Sequence, residues 1–178
     1  MNALIAVIRA IDRVNEVVGR AVAFLTLGTV AVCFLVVVLR YVFSIGFVWM
    51  QELYVWQHAV VFMIGAGYTL LHSGHVRVDI FYARMGPRRR AIVDLIGTAV
   101  FLVPWLAVVL YYGAPFLTLS WRLFEPSSQS GGLPGYFLLK SVIPLFCLLV
   151  GVQGLALAGR SLLVLAGREE FAPAQAGR

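Results

Sequence analysis

Charge is what this chain is shortest of. Only 12% of its 178 residues are charged and 61% are hydrophobic, whereas a soluble domain carries about 25% charged residues. That deficit excludes an ordinary soluble globular domain and predicts an integral membrane protein. The net charge is +6, but the basic residues stand dispersed at the ends of apolar runs. Nucleic-acid binding needs them clustered on a soluble face, so no nucleic-acid partner is expected. Cysteine is scarce: Cys33 and Cys147 both sit inside long apolar runs and read as small buried hydrophobes, not as a disulfide. There is no nucleophile–base constellation, no phosphate-cradling loop and no metal motif of strong spacing. The chain is therefore read as no enzyme, with no catalytic residue, no cofactor and no metal. A cleavable signal peptide is not evident. The first long apolar run begins only near residue 21 and exceeds the usual h-region of about 7–15 residues.

What is present is a series of apolar stretches of bilayer length. Residues 49–71 are the centre of the argument: WMQELYVWQHAVVFMIGAGYTLL, 23 residues. A helix of that length is roughly 34 Å long, enough for a ~30 Å hydrocarbon core with modest tilt. Residues 21–39 form a second stretch of 19 residues without charge, ended by Arg40 and Tyr41 at headgroup level. Residues 92–116 form a third, with Pro104 predicting a kink around residues 100–104 and Pro115 a second bend or an end. Residues 136–158 form a fourth, with Pro144 inside it and Lys140 near enough to its end to snorkel. Residues 124–133 (FEPSSQSGGL) make a flexible polar loop, and the tail 167–178 is polar and predicted to be disordered.

Residues 2–20 are too polar to span. Leu4, Val7, Ile8, Ile11, Val14 and Val18 recur at helical steps, with Arg9, Asp12, Arg13, Glu16 and Arg20 on other faces. This reads as an amphipathic helix in the interface plane, the alternative being a cytoplasmic extension of the first span. Of the 14 Lys and Arg residues, eleven lie in the N-terminal segment, the loop 72–90 and the C-terminus. That imbalance puts both termini and the loop 72–90 in the cytoplasm. The expected fold is all-α: a single membrane domain of four spans plus an N-terminal amphipathic helix.

The polar groups inside the spans single out one face. Gln51, His58, Gly65 and His72 are spaced seven apart, so they share one side of the helix 49–71. In lipid, small residues allow close helix approach and polar ones bond across helices, so this face is expected to meet protein. His58 is the one histidine well inside a span, and the other spans offer it no facing histidine. Glu52 and Arg40 are placed to face each other across the short apolar connection 42–48, as an ion pair or as separate headgroup contacts. Asp94 has Arg90 four residues before it, which predicts a local salt bridge. His72, His75 and Asp79 read as a solvated turn, a structural cap or a subunit contact. Few ionisable groups face one another within the membrane, so a transport pathway through this chain alone is not expected.

The run Arg40-Tyr41-Val42-Phe43, then Trp49-x-x-Glu52, Gly65-Ala66 and Gly74-His75-Val76-Arg77-Val78-Asp79, resembles the small membrane subunit of tripartite ATP-independent periplasmic (TRAP) transporters, the DctQ-like family. Gly132-Leu133-Pro134 and Pro144 also fit, and the likeness runs over about residues 15–165. Gln51 departs from the acid that often stands there. The resemblance implies a bacterial inner-membrane scaffold without catalysis. It implies a large multi-span permease subunit as partner and a periplasmic substrate-binding protein that delivers an organic acid for sodium-coupled uptake. It places Arg40, Trp49 and Glu52 at the periplasmic end and His75, Arg77 and Asp79 at the cytoplasmic end. With Gln51, His58 and Gly65, these are the expected interface or structural residues. The competing reading is a haem- or quinone-binding anchor of a redox complex, which a Soret band in the purified protein would favour.

Overall fold

A computed structural model describes residues 2–75, 82 and 84–171, and those residues form helices and turns without a strand. Helix α1 is Asn2–Val42, 41 residues in one piece. The segment 2–20 is thus continuous with the apolar run after it. Nothing between them breaks a helix: there is no proline, and Gly19 is buried against α2 (Val48–Leu71). A Cβ on Gly19 would collide with the side chain of Tyr68, so glycine is what lets the two helices approach there. At 1.5 Å per residue α1 is about 61 Å long, roughly twice a hydrocarbon core.

The third long rod is helix α3 (Pro87–Ile96), a π-helical segment (Gly97–Leu102) and helix α4 (Val103–Leu123). Pro87 takes the first helical position, where its missing N–H costs nothing. Pro104 has no N–H to give to the carbonyl one turn back. The chain answers with an extra residue in the preceding turns, so that the Val103 N–H reaches the Thr98 carbonyl, five residues back. The irregularity expected around residues 100–104 therefore takes the form of a π segment. Pro115, expected to bend or end the rod, does not end it: α4 continues to Leu123 and closes at Phe124 in the left-handed conformation.

The fourth rod begins with a short helix α5 (Tyr136–Lys140) and continues after Ser141 as α6 (Val142–Leu165), followed by a 3-10 turn at Glu169–Phe171. Pro144 cannot bond the Lys140 carbonyl, and the interruption falls between them. Three helices, Asn2–Val42, Pro87–Leu123 and Tyr136–Leu165, are long and apolar enough to cross a membrane. At 24 residues α2 is of comparable length but carries Gln51, Glu52, Gln57 and His58.

The rods alternate in direction. Glu16–His72 and Arg88–Leu165 contacts join the starts of α1 and α3 to the ends of α2 and α6, here called the terminal end. Glu52–Leu133 and Trp121–Ser141 contacts mark the opposite, loop end. Helix α6 is central and packs on α1, α2, α3 and α4. Its buried residues build two small cores, one of Ile8, Ala156 and Leu163, the other of Leu106, Cys147 and Val150. Cys33 and Cys147 are both free thiols. Phe24, Phe34, Phe62, Phe101 and Leu155 are exposed, an apolar exterior suited to acyl chains.

Candidate functional site

With so apolar an exterior, the polar side chains carry the specific information. In lipid, helices gain little from hydrophobic burial against one another, so packing and interhelical hydrogen bonds select the arrangement. The structure gathers the polar groups into two clusters and leaves one polar stripe open.

The first cluster lies toward the terminal end. Asn15 and Gln153 are each 1% exposed. The Asn15 Nδ2 amide donates to Gln153 Oε1 at 2.8 Å, and Gln153 Nε2 donates to Asp12 Oδ1 at 3.1 Å. Arg160 donates to the same Asp12 oxygen. Alongside, Glu16 takes Arg20 at 2.6 Å and His72 Nε2 at 2.6 Å, and His72 also stands 4.4 Å from the Tyr68 ring. These bonds pin α1 to α6 and α2. Among the described residues Asn15 Oδ1 accepts no hydrogen bond, and it lies against Gly67 of α2, where a Cβ would overlap it.

The second cluster fixes the loop 124–135. Glu52 does not pair with Arg40, which is exposed and meets no acid among the described residues. Instead Glu52 accepts the Ser127 hydroxyl and, at 2.6 Å, the Leu133 N–H. A carboxylate on a helix is better served by two donors of a folded loop than by a flexible arginine at a headgroup boundary. Lys140 likewise does not snorkel. It is buried, bonds Glu125 at 2.5 Å and lies 3.7 Å from the Phe116 ring centroid. The Lys140 ammonium holds the Glu125 carboxyl below its ordinary range. The glycine- and serine-rich loop expected to be flexible is thus tied at Glu125, Ser127 and Leu133.

The open stripe is on α2. Met50, Ile64 and Gly67 face the bundle. On the other side His58 is exposed, stacked only on its neighbour Phe62, and neither it nor the half-buried Gln51 makes a side-chain hydrogen bond among the described residues. Among the described residues, no neighbouring atom lies within 4 Å of where a Cβ on Gly65 would stand. Of the heptad-spaced set, His72 is the member whose side chain bonds another helix among the described residues, at Glu16. Trp49 is partly exposed at the loop end, its ring 6.2 Å from Phe47. His75 is exposed, and Arg77 and Asp79 lie outside the described residues. Asp94 accepts the Tyr82 hydroxyl at 2.8 Å, and Arg90 donates to the Tyr82 carbonyl at 3.1 Å. Among the described residues no three His, Cys, Asp or Glu side chains gather as metal ligands would.

Residues 29–163 match the family model described as tripartite ATP-independent periplasmic transporters, DctQ component. The chain belongs to the DctQ family. No curated protein and no solved structure matches it. The family is a component of a transporter and not an enzyme family. The matched stretch of this DctQ-family chain holds the open α2 stripe, the clamp on Glu52 and the Lys140–Glu125 pair. It excludes Asp12, Asn15 and Glu16, the α1 half of the buried cluster.

Sequence reasoning passed over Asn15, Gln153, Ser127 and Glu125. One signal for Gln153 was available: a lone amide in the apolar run VGVQGLAL has to find a partner within the protein.

Proposed function

We propose that this chain is the small scaffold subunit of a TRAP transporter in a bacterial inner membrane, crossing it four times with both termini cytoplasmic. The loop end, with Arg40, Trp49 and Glu52, faces the periplasm. The terminal end, with His75, Arg77 and Asp79, faces the cytoplasm. The partner is a large multi-span permease subunit that performs sodium-coupled uptake of an organic acid, and a periplasmic binding protein delivers that acid. The tied loop 124–135 offers a shaped surface for that delivery.

One observation carries the reading: in the stripe Gln51, His58 and Gly65, polar and small, His58 is exposed, and among the described residues neither polar side chain finds a hydrogen-bond partner and no neighbouring atom comes within 4 Å of a Cβ on Gly65. Polar side chains against acyl chains are costly and find protein partners instead. A glycine without neighbours gives a second helix room to approach closely. The opposite face of α2 is already used within the chain, so α2 is held in one rotation about its axis and presents the stripe as a fixed surface. A brace needs that rigidity while its partner moves.

The test is assembly. His58→Leu and Gly65→Leu are expected to fold but to lose co-purification with the co-expressed large subunit, and uptake with it. Co-purification and uptake equal to the unsubstituted complex would remove the stripe from the interface.

A further inference from the structure

The first half of α1 has a face that the bundle does not use. Ile8, Asn15 and Gly19 point inward and are buried. Ala6, Arg9, Ala10, Arg13, Val14 and Val17 line an open furrow on the outer side. Val14 and Val17 are 51% and 62% exposed. Arg9 and Arg13, one turn apart and both exposed, have no acid partner among the described residues, whereas nearby Arg20 and Arg160 are matched to Glu16 and Asp12. Asp12 and Glu16, which lie beside Arg13, are thus already paired, and among the described residues neither furrow guanidinium has an ion-pair partner.

We infer that this furrow binds one anionic phospholipid of the adjoining leaflet, its phosphate on Arg9 and Arg13 and an acyl chain along Ala10, Val14 and Val17. Three observations favour that occupant. Guanidinium groups match phosphate oxygens in shape and charge. Within the furrow the order along α1 is cations, then exposed valines, and the uncharged run 21–39 follows once Arg20 has been neutralised by Glu16, which is broadly the order from a lipid phosphate to its tails. A second copy packed symmetrically on this face would set Arg9 and Arg13 against the same two arginines, which like-charge repulsion opposes. The furrow precedes residues 29–163 of the family match. It is therefore independent of the stripe on α2 and stands or falls without the scaffold reading.

The experiment uses the full chain in neutral detergent, titrated with phosphatidylglycerol or phosphatidylcholine and read by native mass spectrometry. Phosphatidylglycerol is expected to bind in preference. Near an anionic headgroup each arginine is worth about fivefold in binding, so Arg9→Gln/Arg13→Gln is expected to weaken it roughly 25-fold. Arg20→Gln, outside the furrow, leaves binding within about twofold, and Arg9→Lys/Arg13→Lys retains most of it. The Lys pair also reads charge apart from folding if the Gln pair proves unstable. Equal retention of the two lipids, unchanged binding in Arg9→Gln/Arg13→Gln, an equal loss in Arg20→Gln or in the Lys pair, displacement by inorganic phosphate, or dimers that disappear in the Gln pair would each overturn the assignment.

Discussion

Two glycines two residues apart on α2 are predicted to behave in opposite ways. At Gly67 an added Cβ overlaps Asn15 Oδ1 and comes within 3.1 Å of Asn15 Cγ and 3.3 Å of Leu149 Cβ. Asn15 cannot simply turn aside, because its amide is bonded at 2.8 Å to Gln153, itself 1% exposed. Gly67→Ala therefore either overpacks the contact, at about 1–3 kcal/mol, or breaks the Asn15–Gln153 bond and strands a buried acceptor, at about 1–3 kcal/mol more. A loss of about 1–3 kcal/mol is expected if the bond survives and about 2–6 kcal/mol if it breaks. Asn15→Ala costs about 1–3 kcal/mol alone but makes room for the new methyl, so the double variant loses about 1–3 kcal/mol less than the sum. Gly65→Ala, with open space around it, stays within about 0.5 kcal/mol. The assay is reversible unfolding of the purified chain in mixed micelles, followed by helical circular dichroism. A Gly67→Ala loss below about 0.5 kcal/mol, or strict additivity with Asn15→Ala, would refute the close contact.

Glu52→Ala removes the acceptor for Ser127 and Leu133 and is expected to speed proteolysis and amide exchange in 124–135; unchanged rates there would mean the loop is held by something else. Glu125 titrates below its usual value near 4.5 because of Lys140. A depressed carboxyl contributes stability above its unfolded value and loses it as pH falls through the folded one. The stability this pair contributes is therefore expected to be lost as pH falls below about 4.5, and Glu125→Gln to flatten that limb; identical acid melts would contradict the pairing. Arg160→Leu leaves Asp12 with the Gln153 amide alone. It is expected to cost about 1–3 kcal/mol, less than a fully buried pair because both partners keep some exposure. Unfolding midpoints equal to those of the unsubstituted chain would show the pair to be idle.

Composition and period made the coarse features legible in the sequence. The apolar runs became long helices, and Pro104 marked the π segment 97–102. What stayed hidden was set by rotation and distance. Asn15 and Gln153 are 138 residues apart, and whether either faces a neighbour depends on how two rods are turned, which no local pattern records. Arg40 was a natural partner for Glu52 because it is close in sequence, yet a folded loop 75 residues on supplies the donors. Lys140 sits near a helix end, where snorkelling is the usual outcome, but Glu125 closes over it first. The division between residues 20 and 21 was a change in polarity only. A helix passes through such a change without a break when no residue forbids it, as α1 does. The stripe of Gln51, His58 and Gly65 was legible from its sevenfold spacing. Its outward direction was not, because periodicity says which residues share a face but not what that face meets.

That stripe is also where the account is most exposed. A diazirine-bearing phenylalanine analogue in place of Phe62, exposed on α2 beside His58 and activated by light in membranes that hold the assembled transporter, would label whatever lies against that face of α2. Adducts with the large permease subunit are predicted, abolished when a bulky residue at position 58 prevents assembly. Adducts with phospholipid alone, in membranes where the transporter is assembled and active, would contradict a brace completed by another protein.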